Sequence, residues 1–147
     1  MNTLLETQLK RAKAAARLLK NMPTCTKNQA LEKIADALIA RSDEILEANK
    51  KDMAHAKEVN MTKAMQDRLL FTHERIVGVS DGVKKVATLP DPIGEVMESW
   101  TRPNGLEISK VRVPIGVFGI IYEARPNVTV DIASLCLKSG NACVLRG

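Results

Sequence analysis

The most informative run of the sequence is Gly-Val-Phe-Gly-Ile-Ile-Tyr at residues 116–122, which is almost entirely apolar and rich in β-branched side chains. Such a run is typical of a strand that is covered on both faces in a parallel sheet. A helical pattern follows at residues 128–139 and stops at Gly140, and Ala-Cys-Val-Leu at residues 142–145 indicates a second short strand. Residues 114–147 therefore predict a right-handed βαβ unit that starts a parallel sheet.

Residues 1–92 predict a helical lead-in to this unit. Two sequences of the capping-box type, Thr3–Glu6 and Thr26–Gln29, should open the first two helices. Thr72 is the expected cap of a later helix, whose apolar residues keep helical spacing as far as Val86. We expect the second helix and the segment after it to bury a stripe formed by Leu31, Ile34, Leu38 and Ile45.

Residues 93–113 predict a β-hairpin. The sequence Leu-Pro-Asp-Pro at residues 89–92 cannot continue a helix, because two prolines lie within three residues. Two extended arms then flank Asn104-Gly105, a strong hairpin-turn signal, with Pro103 just before the turn. The arms carry Trp100 among polar residues, so two interpretations stay open: an oligomerisation arm that pairs with another chain, or a hairpin packed on its own domain.

Composition excludes several classes of protein. The 147 residues are 45% hydrophobic, enough for one domain with a real core, and no apolar run approaches the length of a membrane span. The net charge of +5 does not choose between nucleic acid and anionic substrates. Three cysteines without C-x-x-C spacing indicate neither a disulfide framework nor a metal site, and they favour a cytoplasmic protein.

Polar residues follow both predicted strands at their carboxyl ends. Ligands bind beyond this edge in open α/β sheets, so Glu123, Arg125, Asn127 and Arg146 are expected in one crevice. The dinucleotide fingerprint G-x-G-x-x-G is absent, since Gly116 and Gly119 have the spacing G-x-x-G inside the strand. Two structural alternatives stay open: Glu123 and Arg125 could form an ion pair, and Asn127 could be a helix N-cap.

Residues 111–131 also carry a family resemblance, with the sequence Val-Arg-Val-Pro-Ile-Gly-Val-Phe-Gly-Ile-Ile-Tyr-Glu-Ala-Arg-Pro-Asn-Val-Thr-Val-Asp. Together with Leu-Cys-Leu-Lys-Ser-Gly-Asn-Ala at residues 135–142 and the hairpin segment at residues 100–106, they resemble the glutamate-5-semialdehyde dehydrogenase family of the aldehyde dehydrogenase superfamily. The most specific mark is Tyr-Glu-Ala-Arg-Pro-Asn-Val-Thr at residues 122–129, where other aldehyde dehydrogenases have a Pro-Trp-Asn type of sequence. The resemblance covers essentially the whole chain, as the N-terminal part of the family's members.

This resemblance implies reduction of L-glutamyl 5-phosphate by NADPH to L-glutamate 5-semialdehyde and phosphate, in proline biosynthesis. Asn127 matches the position whose amide holds the developing oxyanion, and Arg146 matches the position near the adenosine ribose, where an arginine favours the 2′-phosphate of NADP. Arg125 and Glu123 are candidate substrate-binding residues. The implied fold is an aldehyde-dehydrogenase-like NADP-binding domain, and the implied partners are the small substrate and, at full length, further copies of the chain, with no nucleic acid and no membrane.

In the superfamily a cysteine thiolate attacks the acyl carbon, and a thioester receives the hydride. That cysteine lies downstream of residue 147, and Cys25, Cys136 and Cys143 do not fit the role, since the last two fall in apolar positions. We therefore expect an inactive fragment. Two alternatives remain: a non-catalytic truncated subunit, and a small basic helical module for nucleic acid built on Lys50, Lys51, Lys57, Lys63, Lys84 and Lys85.

Overall fold

The computed structural model describes residues 3–123 and 125–147, and the predicted α/β class is confirmed. Five helices come first, followed by a hairpin and a β-α-β unit. The described elements are α1 (Thr3–Leu19), α2 (Thr24–Ala40), α3 (Ser42–Glu58), α4 (Lys63–Leu69), α5 (His73–Thr88), β1 (Val96–Thr101), β2 (Glu107–Val111), β3 (Val117–Ile121), α6 (Pro126–Lys138) and β4 (Ala142–Arg146).

The helix starts agree only in part with the caps read from the sequence. The hydroxyl of Thr72 accepts the Arg75 N–H at 3.2 Å, which confirms the predicted cap of α5. The capping box at Thr26 is wrong, because α2 already begins at Thr24 behind Pro23 and has no side-chain cap. Proline at the preceding position sets the backbone for helix entry by itself, so Thr26 falls within the first turn. The side chain of Thr3 lies outside the described part of the chain.

The main core lies between α2 and α5. Leu31 and Ala35 of α2 pack against Val83 and Ala87 of α5, and all four are buried. Small residues allow this close approach, and the buried Ser80 hydroxyl donates to the Ala35 carbonyl at 3.0 Å. The predicted stripe is therefore corrected at two positions: Ala35 is buried in place of Ile34, which is 36% exposed, and Ile45 is only partly buried and lies outside this cluster. Four partly buried residues complete the cluster: Leu38, Val86, Val130 and Leu137.

The hairpin forms as predicted, but its turn differs. β1 and β2 pair antiparallel from Val96↔Val111 to Thr101↔Glu107. The turn is closed by the Gly105 N–H, which donates to the Arg102 carbonyl at 2.9 Å, so Pro103 and Asn104 are its central residues and Pro103 lies inside it. Gly105 adopts φ +84°, the left-handed conformation that a bulge after such a turn requires.

β3 and β4 form the predicted parallel pair, in register from Val117↔Ala142 to Ile121↔Arg146. α1 packs on both strands, and α6 packs on β4 and on α5 and α2. The prediction that the first strand is covered on both faces is only partly right, because Ile121 at its carboxyl end is 87% exposed. The first residues of the strand are only partly buried, and its carboxyl end is open towards the edge where its loop leaves.

The carboxyl end of α6 is anchored by a Schellman motif. The Asn141 N–H donates to the Cys136 carbonyl at 2.8 Å, and the Gly140 N–H donates to the Leu137 carbonyl at 3.1 Å. Gly140 has φ +67°, and a Cβ there would stand 3.0 Å from Pro114 Cγ. The buried Asn141 side chain also accepts the Gly116 N–H at 2.7 Å, so it ties the end of the helix to the start of β3.

A buried polar cluster joins α6 to the helical layer. Lys27 and Lys138 are 2% and 3% exposed, and Lys27 pairs with Asp91. Lys138 Nζ donates to Asn28 Oδ1 at 2.6 Å and to the Ala87 carbonyl at 2.9 Å. The Asp91 carboxylate also accepts the Thr24 hydroxyl at 2.7 Å. Three elements are thus locked together by satisfied charges and hydrogen bonds rather than by apolar contact alone.

Two pKa shifts reflect this cluster. Burial works to raise the pKa of Asp91, but hydrogen bonds from Lys27, Thr24 and the backbone N–H of Ile93 outweigh it, so the pKa lies below its ordinary value. Burial lowers the pKa of Lys138, and the neighbouring charge of Lys27 adds to this against the attraction of Asp91. The Asp91 carboxylate therefore pairs with Lys27 and also attracts the charge of Lys138.

Candidate functional site

A cleft of about 470 Å³ opens where α6 begins. One wall is the start of α6, with Arg125, Asn127 and Asp131, and the facing wall is the corner between α4 and α5. The cleft lies beyond the carboxyl end of β3, the edge at which ligands bind in open α/β sheets. Residues from two segments that are distant in sequence, 67–79 and 125–131, therefore converge at one point.

The start of α6 is set by its own sequence. Arg125 is the extended residue before the helix, with φ −137° and ψ 95°, and Pro126 occupies the first helical position, where its missing N–H is not needed. The Tyr122 hydroxyl bonds to the Thr129 hydroxyl and holds the strand exit against the helix. Among the described residues no side chain caps this helix start, so its positive end faces the cleft without a protein carboxylate at the cap position.

Asn127 is half-buried and oriented by a neighbour. Its Nδ2 donates to Asp131 Oδ2 at 3.0 Å, one helical turn further along. The side-chain amide has a second N–H that remains able to donate into the cleft. The N-cap alternative for Asn127 is wrong, because Arg125 occupies that position.

The facing wall is braced by Arg75. Its Nη1 donates to the carbonyls of Asp67 and Leu70 at 2.5 and 2.6 Å, and its Nη2 pairs with Asp67 Oδ1 at 3.1 Å. Phe71 is buried below it, and its N–H donates to Asn49 Oδ1 at 2.8 Å. The corner between α4 and α5 is thus a rigid wall.

Sequence reasoning missed this wall. Asp67, Arg68 and Arg75 were not identified as site residues, because the short helix α4 was not predicted. Its available signal was Thr62, whose hydroxyl accepts the Met65 N–H at 3.3 Å as the cap of α4. Even with that helix predicted, only the packing of α5 on α6 shows that its end meets Asn127.

The four residues expected in one crevice separate into two pairs. Arg125 and Asn127 line the cleft, whereas Glu123 and Arg146 are exposed and are not among its lining residues. Arg146 ends β4 opposite Ile121, and its carbonyl accepts the Tyr122 N–H at 2.9 Å. All four residues nevertheless lie at or after the carboxyl ends of β3 and β4, which form the same edge of the sheet. Within the described residues, no ion pair joins Glu123 to Arg125, so that structural alternative finds no support.

The cysteines and acidic residues offer no further centre in the described part of the chain. Burial first, and then the neighbouring Cys143, raise the pKa of the Cys136 thiol to about 11. A thiol with so high a pKa is almost fully protonated near neutral pH, which fits the prediction that it is not a nucleophile. Across residues 3–123 and 125–147, no group of His, Cys, Asp and Glu could hold a metal ion, and no helix is long and apolar enough to cross a membrane.

Comparison with known proteins gives a consistent result over the whole chain. No protein-family model matches. Gamma-glutamyl phosphate reductase of Geobacillus sp. (strain WCH70) is 56% identical over 147 residues, which are 100% of this chain and 35% of that protein. The protein of the same name from Moorella thermoacetica is 55% identical over 149 residues, with 100% of this chain and 36% of the relative covered.

Solved structures agree with these relatives. The crystal structure of gamma-glutamyl phosphate reductase from Thermotoga maritima matches with a TM-score of 0.94 at 47% identity, covering 97% of this chain and 34% of that one. The Saccharomyces cerevisiae structure of the same name matches with a TM-score of 0.89 at 40% identity, covering 94% of this chain and 35% of that one. The chain spans about a third of the length of the proteins that it matches. The resemblance read from residues 111–147 is thereby confirmed: the chain is homologous, from end to end, to the N-terminal part of gamma-glutamyl phosphate reductase.

Proposed function

We propose that the chain is the N-terminal part of an enzyme that reduces L-glutamyl 5-phosphate with NADPH to L-glutamate 5-semialdehyde and phosphate, a step of proline biosynthesis. The observation that carries this proposal is identity of 55–56% across the whole chain with proteins named gamma-glutamyl phosphate reductase. The alternative of a small nucleic-acid module gains nothing from the comparisons. Two of its lysines, Lys50 and Lys84, are paired with Glu47 and Asp36 on the surface.

Asn127 is proposed as the donor to the oxyanion that develops when the acyl carbon is attacked. It lies in the first turn of α6, its orientation is fixed by Asp131, and one amide N–H is left to donate. The positive end of the helix adds to the stabilisation of negative charge at this point. A donor of this kind typically contributes a factor of about 10²–10³ in rate, because it is already oriented where the charge appears.

Arg146 is proposed to hold the 2′-phosphate of NADP. The cofactor supplies a hydride when bound. Arg146 is exposed at the carboxyl end of β4, and a guanidinium at this edge fits a phosphate bidentately, which favours NADPH over NADH. The glycine fingerprint of other dinucleotide folds is absent, so this side chain is the main feature of the described residues that suits the cofactor.

Arg125 and Glu123 are proposed as substrate-binding residues. Arg125 lines the cleft beside Asn127, so its guanidinium is within reach of an anionic group on a substrate whose reacting carbon lies at Asn127. Glu123 precedes it at the sheet edge, where an exposed carboxylate can accept from an ammonium group. The ammonium group and one anionic group of a glutamyl substrate thus each have a proposed partner.

The hairpin is proposed as an oligomerisation arm, with residues 1–92 and 114–147 forming the start of the cofactor domain. In the described chain β1 and β2 pair with each other, and Val96, Met97 and Trp100 are 57%, 50% and 42% exposed. An exposed apolar strand edge suits pairing with a second copy. Shortening the arm by deleting residues 99–109 should leave a smaller species in size-exclusion chromatography of the full-length enzyme; an unchanged size contradicts the arm.

The activity is tested in a chimera in which residues 1–147 replace the matching segment of the Geobacillus relative. We expect NADPH oxidation that depends on L-glutamyl 5-phosphate, releases one phosphate per NADPH, and is faster than with NADH. Asn127→Ala should lower kcat by about 10²–10³, whereas Asn21→Ala, an exposed position remote from the cleft, should not. A folded chimera without acyl-phosphate-dependent oxidation of NADPH overturns the proposal.

A further inference from the structure

We propose that Arg68, on the cleft wall that faces Arg125 and Asn127, binds the α-carboxylate of the substrate and selects an α-amino acid acyl phosphate over a simple acyl phosphate. The inference rests on the proposed function and deepens it, since it assigns a specificity residue on α4. Arg68 is the new element, because it lies in a helix that the sequence did not predict.

Some charged side chains of the cleft already have protein partners, and others do not. Arg75 is fully engaged with the α4–α5 corner, and Asp131 is engaged with Asn127. Arg68 and Arg125 also line the cleft, and in the part of the chain that the structure describes neither has an ion pair or a side-chain hydrogen bond. Two guanidinium groups are therefore left to face one solvent-filled space of about 470 Å³. Such a pair attracts an anion, and the uncapped start of α6 reinforces the attraction.

The α-carboxylate suits Arg68 better than the phosphate does. The acyl phosphate end of the substrate must lie at Asn127, where the oxyanion forms. The α-carboxylate lies at the other end of a glutamyl chain, and Arg68 lies on the wall across from Asn127. Arginine matches a carboxylate with two parallel N–H donors, which gives geometric selection as well as attraction.

Arg75 acts as a positioning residue for this wall. By holding the carbonyls of Asp67 and Leu70, it fixes the end of α4 on which Arg68 lies. Its guanidinium is occupied by these contacts, so we assign no substrate contact to it.

The test compares Arg68→Gln with the unmodified chimera in the reverse reaction, using aldehyde, phosphate and NADP. The substrates are L-glutamate 5-semialdehyde, 5-oxopentanoate, which keeps the carboxylate and lacks the amine, and 4-aminobutanal, which lacks the carboxylate. We expect Arg68→Gln to raise KM for the first two by about 10- to 100-fold, as for loss of a charged hydrogen bond, with kcat nearly unchanged. The kinetic parameters for 4-aminobutanal should not change. Equal losses for all three aldehydes, or no loss for any of them, overturn the proposal.

Binding without turnover separates this inference from the proposed function. Calorimetric titration of the same chimera with L-glutamate and with 4-aminobutyrate, which lacks the α-carboxylate, requires no chemistry. Arg68→Gln should weaken the binding of L-glutamate by at least about 10-fold and leave the binding of 4-aminobutyrate unchanged. The control Arg17→Gln, at an exposed position on α1, should change neither affinity. If the chimera lacks reductase activity but shows this pattern, the proposed function fails and the carboxylate site stands. If the unmodified protein does not bind L-glutamate, the carboxylate site fails.

Discussion

The two ends of α6 treat positive charge in opposite ways. At its carboxyl end Lys138 is buried, hydrogen-bonded to Asn28 and Ala87, and close to the Lys27–Asp91 pair. At its amino end Arg125 lies exposed at an open cleft, with Arg68 on the facing wall and no acidic partner for either among the described residues. The backbone of α6 is regular from one end to the other, so the difference arises from the residues that surround each end.

This difference separates fold from function. Burying two lysines is unfavourable unless every polar atom finds a partner, and the described buried side chains leave none unsatisfied. The carboxyl end is therefore part of the folded structure. Unpaired arginines beside a cleft contribute little to folding, and their partner is expected to be a ligand. Substitutions at the two ends should accordingly affect different measurements.

The largest expected effect is on stability at the carboxyl end. Asp91→Asn removes the carboxylate that pairs with Lys27 and should lower the free energy of unfolding by about 3–5 kcal/mol, because the buried charge of Lys27 loses its partner. Urea unfolding of the chain, followed by helical circular dichroism, measures it. Asp36→Asn in the exposed Asp36–Lys84 pair is the matched control, with a change within about 0.5 kcal/mol. Similar losses in both variants would contradict the distinction.

Lowering the pH should reveal the contribution of the Asp91 carboxylate to stability. The pKa of Asp91 is lowered in the folded protein, so its contribution to stability is complete above the unfolded value of about 4 and is lost as the pH falls through the folded value. Unfolding free energies measured from neutral pH downwards should therefore fall more steeply in the unmodified chain than in Asp91→Asn. Parallel curves would show that Asp91 does not provide this stability.

A smaller effect is expected at the helix terminus. Gly140→Ala should destabilise by about 1–3 kcal/mol, because the residue has φ +67° and its Cβ would crowd Pro114. Gly105→Ala in the hairpin turn shares the positive φ, but its Cβ would meet no atom within 4 Å. Its loss of stability therefore measures the cost of the backbone conformation alone. Thermal unfolding of both variants measures the two losses of stability, and the loss should be smaller for Gly105→Ala. Equal losses would mean that the contact with Pro114 is unimportant.

The smallest stability effect is expected at the amino end. Arg68→Gln and Arg125→Gln should each stay within about 0.5 kcal/mol of the unmodified chain in urea unfolding, because neither side chain has a protein partner in the described structure. A loss comparable to that of Asp91→Asn would show that these arginines hold the fold together, and the comparison of the two ends would fail.

The sequence allowed the framework to be predicted because its signals are local. The apolar run at residues 116–122, the stop at Gly140 and the second apolar run specify the βαβ unit through periodicity alone. Asn104-Gly105 specified the hairpin but not its turn, since Pro103 also favours a central turn position and shifts the turn by one residue.

The cleft and the buried lysines could not be predicted in the same way. Lysine is normally a surface residue, so nothing local distinguishes Lys27 and Lys138 from the other lysines; their burial depends on Asp91, which is far away in the sequence. Arg68 lies in a helix of seven mostly polar residues, and its place in the same cleft as Arg125 follows from tertiary packing alone. Family resemblance made Asn127 and Arg125 candidates but carried no information about the facing wall.

The packing of α1 on β4 has a consequence for synthesis on the ribosome. The first helix ends at Leu19, whereas β4 begins at Ala142, so residues 20–141 are translated before the two can meet. β3 also contacts α1 and is translated earlier, so β4 adds its contacts with α1 in a later, long-range step. The order of translation thus makes residues 142–146 the last of the described strands to pack on α1.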